Sequence, residues 1–512
     1  MRIGSSILII IISFLMLAAC TSDKYPEKQT YEFDHTPNPE PLDKSKIPEP
    51  VFDENPELVD FYWVAWELAW DHVRHGANIP QSPYMDEAHW KDTIWIWDTC
   101  FMVHFCKYAP STFPGIESLN NFYEPMHADK PTSLFIHHPD NPPLFAWTEY
   151  EYYKFTNDKK RLNQILKKYQ YLQKHFDFFE NAIPGTKLPY AGSPLSLKKE
   201  EYGYRWRGVQ NGMDNTPRGR GDYDSILWLD ALAQQGLSSY YIAKIAQEIG
   251  EEGLAEQFSE TYENIKTIMN TYYWSEKDQI YYDISVSDPS VHVEVKTPAA
   301  YWPMLAMMCD EKQAESLKDH VDDASVFGGS VPWPSVSRDD PDFEPKGMYW
   351  RGGVWLPTAY MGIKALEKYG YYDTANRTAY DLVNHMYATY KNFEPLTIWE
   401  AYSPTEAKPG TMKKNQNFSR KDFCGWSALG PISLFIENVL GFHRIDAVHN
   451  KIEWNLHHNS RHGIQRLKFG DITTDIMYEN NMITVKSNGS YSLYVNNVLY
   501  KIEPGSQSFT KK

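Results

Sequence analysis

Residues 159–180 have the sequence KKRLNQILKKYQYLQKHFDFFE, and this stretch decides the fold class. Its apolar residues recur at intervals of three or four, so they occupy one face of a helix. They are Leu162, Ile165, Leu166, Tyr169, Leu172, Phe176 and Phe179. Lysines lie largely on the opposite face, where water solvates them. The pattern predicts a helix that buries a single stripe against the rest of the protein.

The same spacing recurs along most of the chain, on both sides of this segment. It predicts further helices over 56–75, 93–108, 144–155, 223–235, 239–249, 252–273, 299–308, 313–320, 354–369, 374–391 and 426–440. Many of these helices follow one another in pairs with short loops between them. Sequential antiparallel pairs predict an all-α (α/α)6 toroid barrel over residues 51–443, in which six hairpins surround a central axis.

From about residue 444 the apolar pattern changes from helical spacing to partial alternation. Segments 452–456, 465–469, 483–487 and 491–495 alternate apolar and polar residues, with Gly470-Asp471 and Asn488-Gly489 as turns between them. This pattern predicts a small C-terminal antiparallel β module over 444–512. We expect the module to pack on the barrel, and sugar binding is the alternative role.

The N-terminus has the pattern of a targeting segment. Arg2 precedes an apolar run over 7–17, which is too short to span a bilayer. Leu17-Ala18-Ala19-Cys20 resembles the bacterial lipobox, which implies a signal peptide over 1–19 and a lipid anchor on Cys20. The expected product is an exported lipoprotein, periplasmic or on the cell surface, that contacts the membrane through its lipid only. An ordinary cleavage site with an incidental cysteine is the alternative.

Residues 20–50 are rich in proline and predict a stiff tether. The chain as a whole carries 50 Lys and Arg against 67 Asp and Glu, a net charge of −17. Such a surface repels nucleic acid, so we expect no nucleic-acid partner. Cys100, Cys106, Cys309 and Cys424 match no zinc or redox spacing and predict buried free thiols, and no metal site is predicted from the cysteines or histidines.

Four motifs combine charged residues with aromatic or turn residues in predicted loops. They are IWIWDT (94–99), NGMDNTPR (211–218), YWRGGVW (349–355) and IWEAYSP (398–404). Aromatic rings suit the flat faces of sugars, and cleavage of a glycosidic bond needs a pair of carboxyl groups. Each motif alone is equally consistent with a solvated or capping loop.

Taken together and in this order, the motifs resemble those of the inverting α-glycosidases of glycoside hydrolase family 63 and the related trehalases of family 37. GWSALG (425–430) and NPPLFAW (141–147) also match. The resemblance covers about residues 60–440. It implies an (α/α)6 barrel in which Asp214 is the general acid and Glu400 is the general base.

The resemblance also implies a set of substrate-binding residues. Asp98 and Arg351 would hold hydroxyl groups of the sugar, and the tryptophans of the motifs would wall the pocket. The full set of candidates is Trp97, Asp98, Asn211, Arg218, Trp350, Arg351, Trp355 and Trp399. Asp98 could instead cap a helix, and Arg218 is equally well a ligand or an ion-pair partner.

The expected substrate is a carbohydrate, and α-glucosides are favoured. Family 37 trehalases have an arginine ahead of the Trp-Asp pair where this chain has Lys91-Asp92-Thr93, which argues against trehalose. α-Mannosides and glycosides of glycerate are alternatives, as are a sugar epimerase or lyase on the same fold and a non-catalytic glycan-binding lipoprotein. No cofactor is expected, although some family members bind Ca²⁺. The acidic segment 338–344 is a candidate for such a site or a solvated loop.

Overall fold

The computed structural model describes residues 40–412, 414 and 416–511. The predicted signal peptide, the predicted lipid anchor Cys20 and most of the predicted tether lie outside the described residues. None of the described helices combines the length and the apolar character that a membrane crossing requires.

Helices are the main regular structure of the described residues before residue 443. The α-helices are α1 (Pro56–Asp71), α2 (Ile96–Cys106), α3 (Asn120–His127), α4 (Phe145–Thr156), α5 (Lys159–Leu162), α6 (Tyr171–Glu180), α7 (Gly208–Asn211), α8 (Leu229–Ile249), α9 (Glu252–Ile268), α10 (Trp302–Leu305), α11 (Glu311–Asp322), α12 (Leu356–Lys368) and α13 (Tyr372–Asn392). A 3-10 turn, Ser427–Leu429, leads into a π-helix, Gly430–Val439.

Burial divides these helices into two kinds. Helices α2, α4, α10 and α12, the first half of α8 and the π-helix are buried on nearly every side. Helices α1, α6, α9, α11 and α13 bury one stripe only. Within the described residues the buried helices contact one another in chain order, and the last contacts α2, which closes a ring of six. One of these outer helices precedes each ring helix except α4, which follows the short helix α3, so the prediction of a helical toroid is confirmed.

The helix boundaries differ from prediction at several places, and two of the differences are large. Residues 159–180 do not form one helix: α5 ends at Leu162, a π-helix covers Asn163–Lys168, and Gln170 has a left-handed backbone (φ +57°) before α6 begins. The apolar stripe remains buried except at Tyr169, so its spacing could not reveal the break. Conversely, 223–235 and 239–249 were predicted as two helices, but a single helix, α8, runs from Leu229 to Ile249 and passes through Gly236 without a break.

The strands fall into two groups. Short strands between the helices are β2 (Val73–Arg74), β3 (Tyr84–Met85), β4 (Thr93–Ile94), β5 (Phe135–Ile136), β6 (Lys198–Glu200), β7 (Gly203–Arg205), β8 (Ile226–Leu227), β9 (Trp274–Ser275), β10 (Ile280–Tyr281), β11 (Asp283–Ser285) and β12 (His292–Val293). The others are β1 (Glu49–Phe52), β13 (Arg444–Asp446), β14 (Lys451–Trp454), β15 (His462–Phe469), β16 (Ile472–Glu479), β17 (Met482–Ser487), β18 (Tyr491–Val495), β19 (Val498–Ile502) and β20 (Gly505–Thr510).

The C-terminal strands form two sheets, in the orders β1-β15-β16-β17-β20 and β13-β14-β18-β19. Three predictions need correction. The C-terminal β module is present as predicted, but the barrel itself is not all-α, because short strands pair between its helices. The β module is not purely antiparallel, since β14 and β18 pair in parallel. The tether does not extend to residue 50, because β1 is hydrogen-bonded to β15 along its length.

Candidate active site

A cavity of about 230 Å³ lies where the N-terminal ends of several ring helices meet. Residues at or just before the first turns of α2, α4 and the Ser427–Leu429 turn line it, together with loop residues from 209–214, 349–350 and 400–423. The lining residues are Glu87, Trp90, Trp95, Trp97, Asp98, His137, His138, Asn141, Val209, Gly212, Asp214, Tyr349, Trp350, Glu400, Arg420, Phe423 and Trp426. The partial positive charge at helix N-termini favours the acidic groups gathered here.

Asp214 lies in a tight turn that directly follows α7 in the chain. Gly212, which precedes it by two residues, has a φ of +91° and lies against the ring of Trp97. The side chain of Asn211 accepts a hydrogen bond from the Met213 N–H at 2.7 Å and donates one to Asp230 at 3.2 Å. Asn211 therefore supports the turn from behind, whereas Asp214 faces the cavity.

The acid loop is tied to α2 and α4 through one amide. Asn141 accepts a hydrogen bond from the Trp97 N–H at 3.0 Å and donates one to the Gln210 carbonyl at 2.9 Å. The start of α2, the start of α4 and the loop of Asp214 are thereby fixed relative to one another.

Tryptophans form one wall of the cavity. The rings of Trp350 and Trp355 stack with centroids 4.2 Å apart and planes 7° apart. Trp426 packs edge-on against both Trp355 and Trp97. Trp97 and Trp350 line the cavity, while Trp355 lies behind Trp350 and supports it. Trp399 is buried against Phe393 and also lies outside the lining.

Glu400 sits on a segment that pairs with residues near 420. The Glu400 N–H donates to the Arg420 carbonyl at 2.8 Å, and the Arg420 N–H donates to Glu400 Oε2 at 3.1 Å. The Glu400 carbonyl accepts from Trp426 Nε1 at 2.9 Å. A backbone N–H aimed at a carboxylate stabilises its ionised form, which is the form that a general base requires.

Asp98 is the third residue of α2 and lies in the cavity beside both other carboxyls. Trp95 occupies the N-cap position, so the helix-cap alternative for Asp98 is wrong. Burial, followed by the nearby charges of Glu400 and Asp214, raises the pKa of Asp98 well above its ordinary value. Three carboxyl groups from separate parts of the chain thus meet in one cavity.

Two arginines from the motifs do not line the cavity. Arg218 is completely buried, and its guanidinium bonds Asp283 at 2.6 Å and Asp230 at 2.8 Å. The ion-pair alternative for Arg218 therefore applies, and the ligand alternative is wrong. Arg351 bonds Asp342 at 2.8 Å and the Asn215 carbonyl at 3.3 Å, so it braces the loop of Asp214 from outside.

Sequence reasoning missed several residues that line the cavity. Glu87, Trp90 and Arg420 belong to no motif with a chemical signature, although Arg420 stacks on Trp90 at 3.8 Å. Trp95 lies in the IWIWDT motif but was not named as a candidate. His137 and His138 were not named as candidates, and His138 bonds Ser193 at 2.7 Å. Trp426 and Asn141 stood in the two supporting motifs, which was the available signal for them.

The described residues contain one cluster whose atoms are close enough to hold a metal ion: His72, Asp86 and His89. Both ring nitrogens of His72 already contact backbone carbonyls, at 2.7 and 3.0 Å. The guanidinium of Arg74 lies 3.8 Å from Asp86 and contacts His89. A neighbouring cation and an imidazole whose two nitrogens both face backbone carbonyls make this cluster a poor metal site.

The acidic segment 338–344, the candidate Ca²⁺ site, has its aspartates bonded to cations. Lys296 bonds Asp339 at 2.6 Å, and Arg220 bonds Asp340 at 3.0 Å and also contacts Asp342. These pairs neutralise the carboxylates that a cation would need. The four cysteines named from the sequence are free and buried, as predicted.

Comparison with known proteins gives a family. A family model described as the mannosylglycerate hydrolase MGH1-like glycoside hydrolase domain matches residues 97–419. An uncharacterised protein of Borreliella burgdorferi is 24% identical over 459 residues, which are 85% of this chain and 90% of that protein. The mannosyl-oligosaccharide glucosidase of Saccharomyces cerevisiae is 26% identical over 55% of this chain and 35% of its own length. The mannosylglycerate hydrolase of Thermus thermophilus is 30% identical over 21% of this chain and 25% of its own.

Solved structures show the same fold at low sequence identity. A sialidase structure covers 94% of this chain and 42% of its own, with a TM-score of 0.67 and 12% identity. A GH63 mannosylglycerate hydrolase from Thermus thermophilus, in complex with Tris, covers 73% and 99%, with a TM-score of 0.54 and 15% identity. The neutral trehalase of Saccharomyces cerevisiae covers 69% and 73%, with a TM-score of 0.51 and 14% identity. These likenesses show a shared helical toroid and nothing of the substrate.

Proposed function

Because the chain belongs to the mannosylglycerate hydrolase MGH1-like glycoside hydrolases, we propose that it is an inverting, exo-acting α-glycosidase that hydrolyses α-glucosides. The observation that carries this proposal is the meeting of Asp98, Asp214 and Glu400 in one tryptophan-walled cavity of an (α/α)6 toroid. An inverting enzyme needs one carboxyl group to protonate the leaving oxygen and a second to activate water on the opposite face of the sugar.

Asp214 is the general acid in this mechanism, and Glu400 is the general base. The two come from separate loops that line the same cavity, one directly after α7 and one paired with residues near 420. The hydrogen bond from the Arg420 N–H to Glu400 favours the ionised form of a carboxyl group, which is the form that can accept the proton of the attacking water. The buried Asp98 then binds hydroxyl groups of the sugar rather than the reacting bond.

The size of the cavity supports exo action on one terminal sugar. Its volume of about 230 Å³ is below the range of about 300–1,000 Å³ that drug-sized ligands occupy. A single pyranose suits such a space better than an internal segment of a polysaccharide. The glucosyl assignment rests on the resemblance to family 63, and α-mannosides and glycosides of glycerate are the competing substrates.

Proton NMR of the anomeric signals tests the stereochemistry. Purified enzyme is mixed with an α-linked disaccharide or aryl α-glucoside, and spectra are recorded in the first minutes, before mutarotation. We expect the β-anomer to appear first. If the α-anomer appears first, inversion is excluded and Glu400 acts as a nucleophile, which requires the two carboxyl groups to lie about 5–5.5 Å apart.

A sugar epimerase on the same fold is the second candidate, favoured by His137 and His138 in the cavity lining. The same NMR samples, prepared in D₂O, separate the two. An epimerase that acts by proton abstraction exchanges a carbon-bound hydrogen of a free sugar for deuterium. A hydrolase releases sugar without that exchange.

We also propose that Cys20 carries the lipid that anchors the mature protein at the periplasmic or outer face of a membrane. The support is the lipobox-like sequence Leu17-Ala18-Ala19-Cys20. The test is Cys20→Ala, which should move the protein out of the membrane fraction without loss of hydrolytic activity. Mass spectrometry that finds a mature N-terminus other than Cys20 would contradict the proposal.

A further inference from the structure

Glu87 is a fourth carboxyl in the cavity that the mechanism above does not use. Its side chain lines the cavity beside Asp98, and only 1% of the residue is exposed. Neither carboxyl oxygen has a hydrogen-bond partner in another residue among the described residues. A buried polar group without a partner is costly, and buried carboxyls in folded proteins are nearly always bonded.

The backbone around Glu87, and not its carboxyl group, holds this segment in place. The Gly425 N–H donates to the Glu87 carbonyl at 3.0 Å. Arg420 donates to the Ala88 carbonyl at 3.3 Å, and His72 contacts the Asp86 carbonyl at 2.7 Å. The side chain of Glu87 is therefore positioned firmly at the cavity wall while its polar atoms remain available to a ligand.

The charged and titratable groups around Glu87 come from three parts of the chain. Asp86 is its neighbour in sequence, Asp98 belongs to α2, and Arg420 and Cys424 belong to the segment that also holds Glu400. The charge of Glu87 also acts on Tyr84, together with those of Asp86 and Arg74. The pKa of Glu87 is raised well above its ordinary value, first by burial and then by the charges of Asp86 and Asp98. The charge of Arg420 has a smaller, opposing effect. A protonated carboxyl can both donate and accept a hydrogen bond.

We propose that Glu87 binds a hydroxyl group of the sugar held in the cavity and thereby contributes to selecting the glycone. Glu87 is a specificity residue in this scheme, distinct from the acid Asp214 and the base Glu400. The proposal rests on the proposed function, since it takes the ligand of this cavity to be the glycone of an α-glycoside. A neutral Glu87 suits an uncharged sugar, because no buried charge is left uncompensated when the sugar departs.

Three variants test the contact. Glu87→Gln retains a neutral donor and acceptor of the same shape, so we expect kcat/KM to fall less than fivefold. Glu87→Ala removes the contact, so kcat/KM should fall about 10- to 100-fold. Glu117→Ala is the matched control, because Glu117 also has a buried carboxyl oxygen without a partner but lies outside the cavity. It should leave kcat/KM unchanged.

Substrate analogues separate a contact with the sugar from a structural role. The probes are aryl α-glycosides of glucose, mannose and galactose, followed by the monodeoxy analogues of the one that the wild type hydrolyses. The loss caused by Glu87→Ala should disappear for the analogue that lacks the contacted hydroxyl and persist for the others. A loss that is the same for every analogue, or a Glu87→Gln variant as poor as Glu87→Ala, overturns the proposal.

The outcome for the proposed function is read separately, from the wild type alone. If the wild type hydrolyses none of the glycosides, the proposed function fails. The Glu87 variants are then compared by their binding of D-glucose, D-mannose and D-galactose, which is measured by tryptophan fluorescence. Weaker binding by Glu87→Ala than by Glu87→Gln then supports the contact, and equal binding refutes it. If the wild type binds none of these sugars, both proposals fall.

Discussion

Asn215 and Trp350 join the loop of the general acid to the tryptophan wall of the cavity. The side-chain oxygen of Asn215 accepts a hydrogen bond from the Trp350 N–H at 2.8 Å, and its amide group donates to the Met348 carbonyl at 3.0 Å. Because Asn215 directly follows Asp214, the position of the acid depends on this pair of bonds.

Removing the two side-chain hydrogen bonds of Asn215 should affect kcat/KM more than it affects the stability of the folded protein. Asn215→Ala deletes two hydrogen bonds that are worth about 1 kcal/mol each, so we expect kcat/KM to fall by up to about 30-fold. Asn181→Ala is the matched control, since Asn181 is exposed and bonds only the Asp177 carbonyl of its own helix. Steady-state kinetics and melting temperatures of both variants check the prediction, and equal kcat/KM values for the two would contradict it.

The acid and the base should respond differently to the leaving group. Asp214→Asn has no proton to give, so hydrolysis of an unactivated disaccharide should cease while sugar binding stays within about tenfold. An aryl glycoside with an acidic phenol as leaving group needs less protonation and should lose much less activity. Glu400→Gln should be nearly inactive on both substrates, because its amide cannot accept the proton of water. Near-wild-type turnover of the disaccharide by Asp214→Asn would exclude Asp214 as the acid.

The helical toroid could be predicted from sequence because the spacing of apolar residues within each helix shows which face of that helix is buried. This spacing identifies the buried stripe, but it does not show where the helix that carries the stripe is interrupted. The left-handed Gln170, which divides 159–180, leaves every buried position of that stripe in place. Strands of two or three residues between the helices are too short to alternate visibly, and β1 is recognisable only through its partner β15.

The candidate site was predictable only where charged residues stood next to tryptophans or turn residues. Asp98, Asp214, Glu400, Trp97 and Trp350 all line one cavity. A contact partner decides the role of an arginine, and sequence spacing does not show partners. Glu87 was missed for the same reason, since a single glutamate in a polar loop has no pattern, and only the fold reveals that it is buried.

Arg218 and Arg220 should differ sharply in their contribution to stability. Arg218→Ala leaves Asp230 and Asp283 buried without their cation, which should cost about 3–5 kcal/mol. Arg220 bonds Asp340 and Asp342, but its side chain is 41% exposed, so Arg220→Ala should cost less than about 1 kcal/mol. Denaturant unfolding of both variants measures the difference. Similar unfolding midpoints would show that the buried cluster does not need its cation.

Gly212 should be intolerant of any side chain, for two separable reasons. An added Cβ would lie 2.2 Å from the Trp97 ring, and the φ of +91° is strained for other residues. Gly250, at the end of α8, also has a positive φ (+78°) but no atom within 4 Å of an added Cβ. Gly250→Ala therefore reports the backbone strain alone, about 1–2 kcal/mol. Gly212→Ala should destabilise more and also lower kcat/KM at least tenfold, because Trp97 and the turn of Asp214 must move apart.

The stability of the folded protein should depend on pH partly through the ionisation of Glu87. In the unfolded chain Glu87 ionises near its ordinary pKa of 4.5, whereas burial raises its pKa well above that value in the folded protein. The folded state therefore binds more protons than the unfolded state once the pH exceeds 4.5, and stability falls as the pH rises towards the folded pKa. Glu87→Gln removes this dependence, so its melting temperature relative to wild type should rise steadily between pH 4 and pH 8. Calorimetry at pH 4, 6 and 8 measures the difference, with Glu57→Gln as a control for an exposed glutamate that pairs with Lys391. A difference between Glu87→Gln and wild type that stays constant with pH would mean that Glu87 ionises as readily in the folded protein as in the unfolded chain.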